Sequence, residues 1–177
     1  MLRVGLDLDD TVNFWWDEYI KVFGTPKNDT EITKNVYRKL RKDKNFWLNL
    51  PVKNYPDFDV TLYCTKRVIP KSWSKEYLKN HNIPVRPIYQ QWYQYGNKSS
   101  LIKGRVDVFI DDSITNMIEL NLAGIPCLLM DSEENKKWGP IGRIYNLNYD
   151  TIETAYNEFM EHYFHNFKNI VNEITRD

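Results

Sequence analysis

The sequence predicts an α/β fold: a mostly parallel sheet with helices on both faces, forming three layers. Two observations carry this. Short apolar runs rich in β-formers recur along the chain at Leu2–Leu8, Val60–Cys64, Val85–Tyr89, Val106–Ile110 and Ile125–Met130. Between them lie segments with apolar residues at helical spacing, and strands alternating with helices build parallel sheets. The chain has 177 residues, enough for one domain with a sizeable core and a small insert.

The elements follow in order. LRVGLDL is an apolar strand ending in acidic residues. Apolar positions 15, 16, 19, 20 and 23 describe a helix that Gly24 and Pro26 end. A second helix carries Ile32, Val36 and Leu40 on one stripe, with Asp29 or Thr30 as its cap. Asn45–Pro51 forms a turn or short helix, and Pro51, Pro56 and Asp57 mark a loop. Helices are also expected over Pro70–His81, Lys98–Lys103 and Ser113–Leu122, the last stopped by Gly124. From Thr151 onward, apolar residues at 152, 155, 156, 159, 163, 167, 170 and 174 describe one long amphipathic helix. The stretch between the first two strands is too long for a simple crossover. It reads as a small helical cap, residues 13–57, inserted into a core made of residues 1–12 and 58–177.

Composition narrows the function. Lys+Arg and Asp+Glu both total 24, so the formal net charge is zero, and the basic excess of a protein that wraps duplex nucleic acid is missing. Nucleic acid is therefore not expected as a partner. Aromatic residues make up 15%, with 12 Tyr and 6 Trp, enough to fill a core and to line a pocket for planar ligands. Cys64 and Cys127 sit in apolar runs without metal-type spacing and read as buried, reduced thiols. No apolar run approaches the ~18 residues of a membrane span, and the N-terminus leads straight into a strand. A cytoplasmic protein with no membrane partner is expected.

Open parallel sheets bind ligands at the carboxyl ends of their strands, and this sequence places its polar residues there repeatedly. The first strand ends Asp7-Leu8-Asp9-Asp10-Thr11, the second Cys64-Thr65-Lys66, and the fourth Asp111-Asp112-Ser113. Carboxylates from two strand ends would converge and repel each other, and a hard cation such as Mg2+ relieves that repulsion through oxygen ligands. Taken singly, each residue has an ordinary structural role. Asp9, Asp10, Asp112 or Ser113 would cap the following helix, Thr65 would serve a turn, and Lys98 would lie on the surface. Their joint order and spacing speak for chemistry.

That order resembles the haloacid dehalogenase superfamily in its phosphatase branch. VGLDLDDT matches the Asp-x-Asp-x-Thr signature with Asp7, Asp9 and Thr11. TLYCT supplies the strand ending in Thr at Thr65, VFIDDS the paired acids Asp111 and Asp112, and AGIPCLLM the next strand. Lys98 fits the lysine ahead of the fourth strand, with Lys103 as its rival. The match covers about Met1–Thr11 and Asp59–Asp131. Within the superfamily, DLDDTVNFWW and FWLNLP look similar to the cap region of the 5'(3')-deoxyribonucleotidases, with Asp10 standing where Gly is usual.

The resemblance implies a Rossmann-like core with a small cap and a Mg-dependent phosphomonoesterase working through an aspartyl-phosphate. It implies Asp7 as nucleophile, Asp9 as general acid and base, and Thr65 and Lys98 on the phosphoryl oxygens. Mg2+ would contact the Asp7 carboxylate, the Asp9 main-chain carbonyl and Asp112, with Asp111 as helper. The expected partner is a small phosphate ester, a nucleoside monophosphate above others. The cap aromatics Phe14, Trp15, Trp16, Phe46 and Trp47 could stack a base, with Phe14, Trp15 and Trp47 the leading pocket candidates, against the alternative that most of them only pack the cap against the core. Two other readings remain at this stage: a phosphatase on nucleic-acid ends, and an inactive binding module that kept the fold. Carbon–halogen cleavage is set aside, because it leaves Asp9 and the Asp111–Asp112 pair without a task. Gly96-Asn97-Lys98-Ser99 is not a P-loop, since Tyr93 stands where its first glycine belongs. His162 and His165 have no third ligand nearby in sequence. Substrate identity and oligomeric state are not readable from the chain.

Overall fold

The computed structural model describes residues 1–91 and 96–174. Its centre is one six-stranded sheet in the order β3-β2-β1-β4-β5-β6. The strands are β1 (Val4–Leu6), β2 (Leu62–Lys66), β3 (Ile88–Gln91), β4 (Val108–Asp111), β5 (Cys127–Met130) and β6 (Arg143–Ile144). Every pairing is parallel. The helices are α1 (Trp15–Phe23), α2 (Asp29–Arg38), α3 (Lys44–Leu48), α4 (Lys71–Asn80), α5 (Lys98–Ile102), α6 (Ile114–Leu122), α7 (Tyr149–His162) and α8 (Phe167–Ile174). The result is a Rossmann-like α/β fold, as the alternation of elements predicts.

The central strands are buried throughout, as the run of Val, Leu, Ile, Phe and Cys requires of strands covered on both faces. Gly5 allows the tight contact at the middle of the sheet. A Cβ there would lie 2.7 Å from the Phe109 ring and 2.9 Å from Val106. Strand order reverses at β1, with β2 on one side and β4 on the other, so the crevice at its carboxyl end is the switch point where such sheets bind ligands.

Three local expectations shift. The third strand begins at Ile88 rather than Val85, because Pro84 and Pro87 have no N–H to give to a ladder. The second helix is capped by Asn28, whose side chain accepts from the Glu31 N–H at 3.0 Å. The long C-terminal helix is two: it breaks at Tyr163 (φ −125°) and passes through a 3-10 turn at Phe164–Asn166. The break gathers Phe159, Phe164 and Phe167, with ring centroids 6.1 and 5.8 Å from Phe159, and places Phe167 5.9 Å from Trp138.

The segment holding α1–α3 leaves and rejoins the sheet through a hydrogen-bonded neck. Asn13 bridges Val52, the Phe14 N–H donates to the Pro51 carbonyl at 3.0 Å, and the Lys53 N–H to the Val12 carbonyl at 2.8 Å. The Lys53 ammonium ties this neck to the sheet, donating to the carbonyls of Asp10 and Asp131, both at 2.7 Å. Within the segment, Asn35 donates to the Tyr19 hydroxyl at 3.0 Å, and the Trp47 indole N–H to the Leu40 carbonyl at 2.8 Å.

Candidate active site

Register sets the floor of the site. Leu6 pairs with Ile110, and the Asp7 N–H donates to the Ile110 carbonyl at 2.9 Å, so Asp7 and Asp111 leave their strands abreast. The first turn of α5 brings Lys98 beneath them. Its ammonium lies 2.9 Å from Asp7 Oδ1 and 2.6 Å from Asp111 Oδ2, in a side chain only 1% exposed. Lys103, the rival lysine, is exposed at the end of α5.

The two acids ending β4 have different surroundings. Asp111 is fully buried and saturated: besides Lys98, it accepts from the Ser113 N–H at 3.0 Å and from the Asn116 amide at 3.1 and 3.2 Å. Ser113 in turn caps α6 through Asn116. The Asp112 carboxylate is half-buried and accepts no hydrogen bond from any described residue, while its main-chain carbonyl receives the Asn135 amide. Oxygens of Asp7, Asp111 and Asp112 all lie within 4.8 Å of one another, a donor set that fits a hard, oxygen-loving divalent cation.

The crowding shows in the titration of the group. Burial lifts the Asp7 carboxyl to about 7, against the pull of Lys98 and with further push from Asp111 and Asp9. Burial raises Asp112 well above the usual carboxylate range, aided by Asp111 and Asp10. Asp10 is lifted to about 7 by burial despite the Trp16 N–H that its carboxylate accepts at 2.9 Å. Asp10 also takes the left-handed backbone, φ +57°, the conformation that a glycine adopts most easily. Burial pulls the Lys98 ammonium down, but Asp111 and Asp7 outweigh it and keep it charged.

Above this floor opens a cavity of about 450 Å³, within the range of small-molecule sites. Its polar lining includes Asp7, Asp9, Asp10, Thr65, Lys66, Arg67, Lys98 and Asp112. The Thr65 hydroxyl is buried with no hydrogen-bond partner among the described residues, a polar atom left for a ligand. Its apolar wall holds Trp15, Trp16, Ile32, Val36 and Trp47. Trp15 and Trp16 both stack on Tyr19, with centroids 5.2 and 5.6 Å away. Phe14, the third aromatic candidate, lines a smaller adjoining cavity of about 200 Å³ with Trp16, Lys53 and several acids. Phe14 precedes α1 with non-helical backbone angles (φ −95°, ψ 66°), so it does not share the face that Trp15 presents to the larger cavity.

Asp7, Asp9, Thr65, Lys98 and Asp112, with Trp15 and Trp47, therefore share one cavity. Trp16, another of the cap aromatics, lines it as well; sequence reasoning missed Arg67 and Asn116, and gave Lys66, at the end of the second strand, no task of its own. Arg67 is the most consequential: a guanidinium 1% exposed, forked onto Asp9 with NH2 to Oδ1 at 2.6 Å and Nε to Oδ2 at 2.9 Å. Its only sequence signal is a pair of basic residues, Lys66-Arg67, just past a strand end. Both cysteines are free and buried, and burial pushes the Cys64 thiol up to about 12, as expected of inert core thiols.

A solved structure described as a HAD hydrolase, family IA, variant 3, from Entamoeba histolytica HM-1:IMSS is similar to this chain. Its TM-score is 0.49 and its sequence identity 13%, over 92% of this chain and 100% of that one. No family model matches the sequence, and no curated protein matches it. Among the described residues no helix is long and apolar enough to cross a membrane.

Proposed function

We propose that the chain is a Mg-dependent phosphomonoesterase of the haloacid dehalogenase type that forms an aspartyl-phosphate on Asp7, with nucleoside monophosphates as its substrates. The observation that carries this is the placement of Asp7. It lies at the switch point of the sheet, 2.9 Å from a buried lysine, within 4.8 Å of two more carboxylates and open to the cavity.

In this reading a phosphate monoester enters with its phosphoryl group over Asp7. The Thr65 hydroxyl and the Lys98 ammonium hold the equatorial oxygens, and their charge and dipoles stabilise the transition state. An Asp7 oxygen forms a bond to phosphorus while the bond to the leaving oxygen breaks, and Asp9 gives that oxygen its proton. Asp9 then takes a proton from a water whose oxygen attacks phosphorus. The bond to Asp7 breaks, and phosphate is released with Asp7 regenerated. Mg2+ would be held by the Asp7 and Asp112 carboxylates and the Asp9 main-chain carbonyl, with Asp111 as helper. When bound, it supplies positive charge that offsets the anionic phosphoryl group. Asp111 already receives four contacts and serves to fix Lys98 and α6, which leaves Asp112 the freer ligand.

Residues 13–57 act as the cap over the core in this reading. The Trp15, Trp16 and Trp47 side of the cavity offers flat apolar surface to a base, and this supports a nucleotide over a sugar phosphate. The test is phosphate release with Mg2+ from deoxy- and ribonucleoside monophosphates, sugar phosphates, a 3'-phosphorylated oligonucleotide and 4-nitrophenyl phosphate. Metal-dependent turnover that vanishes in Asp7→Asn is expected, fastest on a mononucleotide. Silence on every ester, or an active Asp7→Asn protein, would overturn it. Oligonucleotide turnover rivalling the mononucleotides would move the substrate to nucleic-acid ends.

A further inference from the structure

We infer that Arg67 is the positioning residue for Asp9: it fixes the plane of the carboxylate that exchanges protons with the leaving oxygen, and it acts through Asp9 rather than on the phosphoryl group. The inference rests on the proposed role of Asp9.

The geometry of Arg67 leaves it little other work. One edge of the guanidinium is spent on both Asp9 oxygens, at 2.6 and 2.9 Å. The remaining nitrogen, NH1, donates to the Ser74 hydroxyl at 2.9 Å. One face lies against the Trp47 ring, with the guanidinium carbon 5.0 Å from the centroid. Its own carbonyl accepts the Gln90 amide at 3.0 Å. The planar group is therefore held by its edges, its face and its backbone, and a two-point fork transmits that fixed plane to the carboxylate.

Asp9 needs such a hold. It belongs to the turn after β1, and its only other described side-chain contact is the Asn13 amide at a long 3.3 Å. A carboxylate with so few contacts would otherwise turn freely about its terminal torsion, which is broad. Proton transfer demands hydrogen-bond reach to the leaving oxygen, and small displacements at a reacting group are costly. Oδ1 accepts from both Arg67 and Asn13, whereas Oδ2 accepts only the Arg67 Nε–H among the described residues and keeps a second lone pair outside the fork for the proton it exchanges. Lys98 and Thr65, by contrast, border the place where the phosphoryl group would sit.

Leaving-group dependence separates this role from a structural one. A nucleoside leaves as a basic alkoxide and needs a proton, whereas 4-nitrophenolate leaves without one. Because kcat/KM covers only the steps up to the phospho-enzyme, it isolates the acid step. Arg67→Met should lower kcat/KM by roughly 10²-fold on the fastest nucleoside monophosphate of the panel, and by less than about 5-fold on 4-nitrophenyl phosphate. Asp9→Asn should show the same asymmetry, and the double variant should be no worse than Asp9→Asn alone. Arg67→Lys, which keeps the charge and loses the fork, should retain the asymmetry in milder form. Should Arg67→Met not fold by circular dichroism, Arg67→Lys and Ser74→Ala carry the same measurement. Equal losses on both esters would place Arg67 on the phosphoryl group, and additive losses in the double variant would give it a task apart from Asp9. Either result overturns the inference while leaving the phosphatase reading intact. An inactive wild type, or an active Asp7→Asn protein, would instead sink the phosphatase reading itself.

Discussion

The floor and the wall of the cavity are built on different principles. The floor is made of strand ends: Asp7, Thr65, Asp111 and Asp112 are placed by the register of neighbouring parallel strands, and Lys98 is locked between two carboxylates. The wall is made of helix faces: Trp15, Trp16, Ile32, Val36 and Trp47 are placed by how α1–α3 pack on one another. A sheet fixes the floor through backbone hydrogen bonds that do not depend on side-chain identity. Side-chain volumes fix the wall, so it can change shape with a few substitutions. Chemistry on the floor and selectivity on the wall is the arrangement this difference suits, and variants in the two regions should fail differently.

The largest effect belongs to the floor. In the proposed mechanism, Asp7→Asn keeps size and shape but removes the charge of the attacking oxygen. It should lower turnover on every ester by roughly 10⁴-fold or more. Steady-state assays on a nucleotide and on 4-nitrophenyl phosphate check this, and a loss confined to one ester would place Asp7 in recognition instead. Lys98→Met follows. It leaves Asp7 and Asp111 buried beside each other without their shared cation, and breaking such a cluster costs about 3–5 kcal/mol. Chemical denaturation should read that loss, and phosphatase activity should fall with it. Unchanged stability would mean that the floor is less dry than its burial implies.

How much of this was legible follows the same division. That Asp7, Asp9, Thr65 and Asp112 gather at one end of the sheet was readable because a strand end is a short, local signal: an apolar run stops and polar residues begin; Lys98, in the first turn of α5, came from the resemblance alone. The resemblance singled out Asp112 as ligand and Asp111 as helper, but the physical reason was not readable, since Asn116 and Ser113 saturate Asp111 from a helix that folds back on it. Arg67 was missed because its partners, Asp9 and Trp47, lie in segments far away in sequence. Trp15, Trp16 and Trp47 were named for the pocket and do line it, but Phe14 lines the adjoining space and Phe46 packs against the core, because composition counts aromatics without giving their azimuth. The break at Tyr163 was hidden for a similar reason. The apolar spacing runs on unbroken, while the aromatic cluster around Phe159 forms only in three dimensions.

On the wall, the sharpest contrast is between two tryptophans. Trp16 is half-buried, stacks on Tyr19 and borders both cavities. Trp16→Ala should raise KM for nucleotides by roughly 10-fold, within the ~1–3 kcal/mol of a stacked base, and leave 4-nitrophenyl phosphate kcat nearly unchanged. Trp47 is 2% exposed, donates to Leu40 and supports Arg67. Trp47→Ala should therefore show as lost stability first, of about 3–5 kcal/mol. If Trp16→Ala instead lowers kcat equally on both esters, the wall takes part in chemistry and the division fails.

The smallest effect is a pH dependence that joins the two regions, because Asp10 lies where the floor meets α1. Asp7 and Asp10 both rise from the ordinary carboxylate value of 3.8 to about 7 in the folded chain, lifted by burial. The folded state therefore holds protons that the unfolded chain gives up, and stability must fall as pH climbs between those values. The contribution is complete below about 4 and lost by the time pH passes 7. Metal-free protein should melt progressively lower from pH 5 to pH 8. A cation held in the proposed site at Asp7 and Asp112 would displace the Asp7 proton, so added Mg2+ should raise the melting temperature more at pH 8 than at pH 5. Calorimetry with and without Mg2+ at the two pH values reads this directly. An Asp10→Asn variant should flatten the metal-free slope, because one of the two titrating acids is gone, and still respond to Mg2+, because Asp10 is outside the three-carboxylate cluster. Loss of the Mg2+ response in that variant would put Asp10 among the ligands and redraw the boundary between floor and wall.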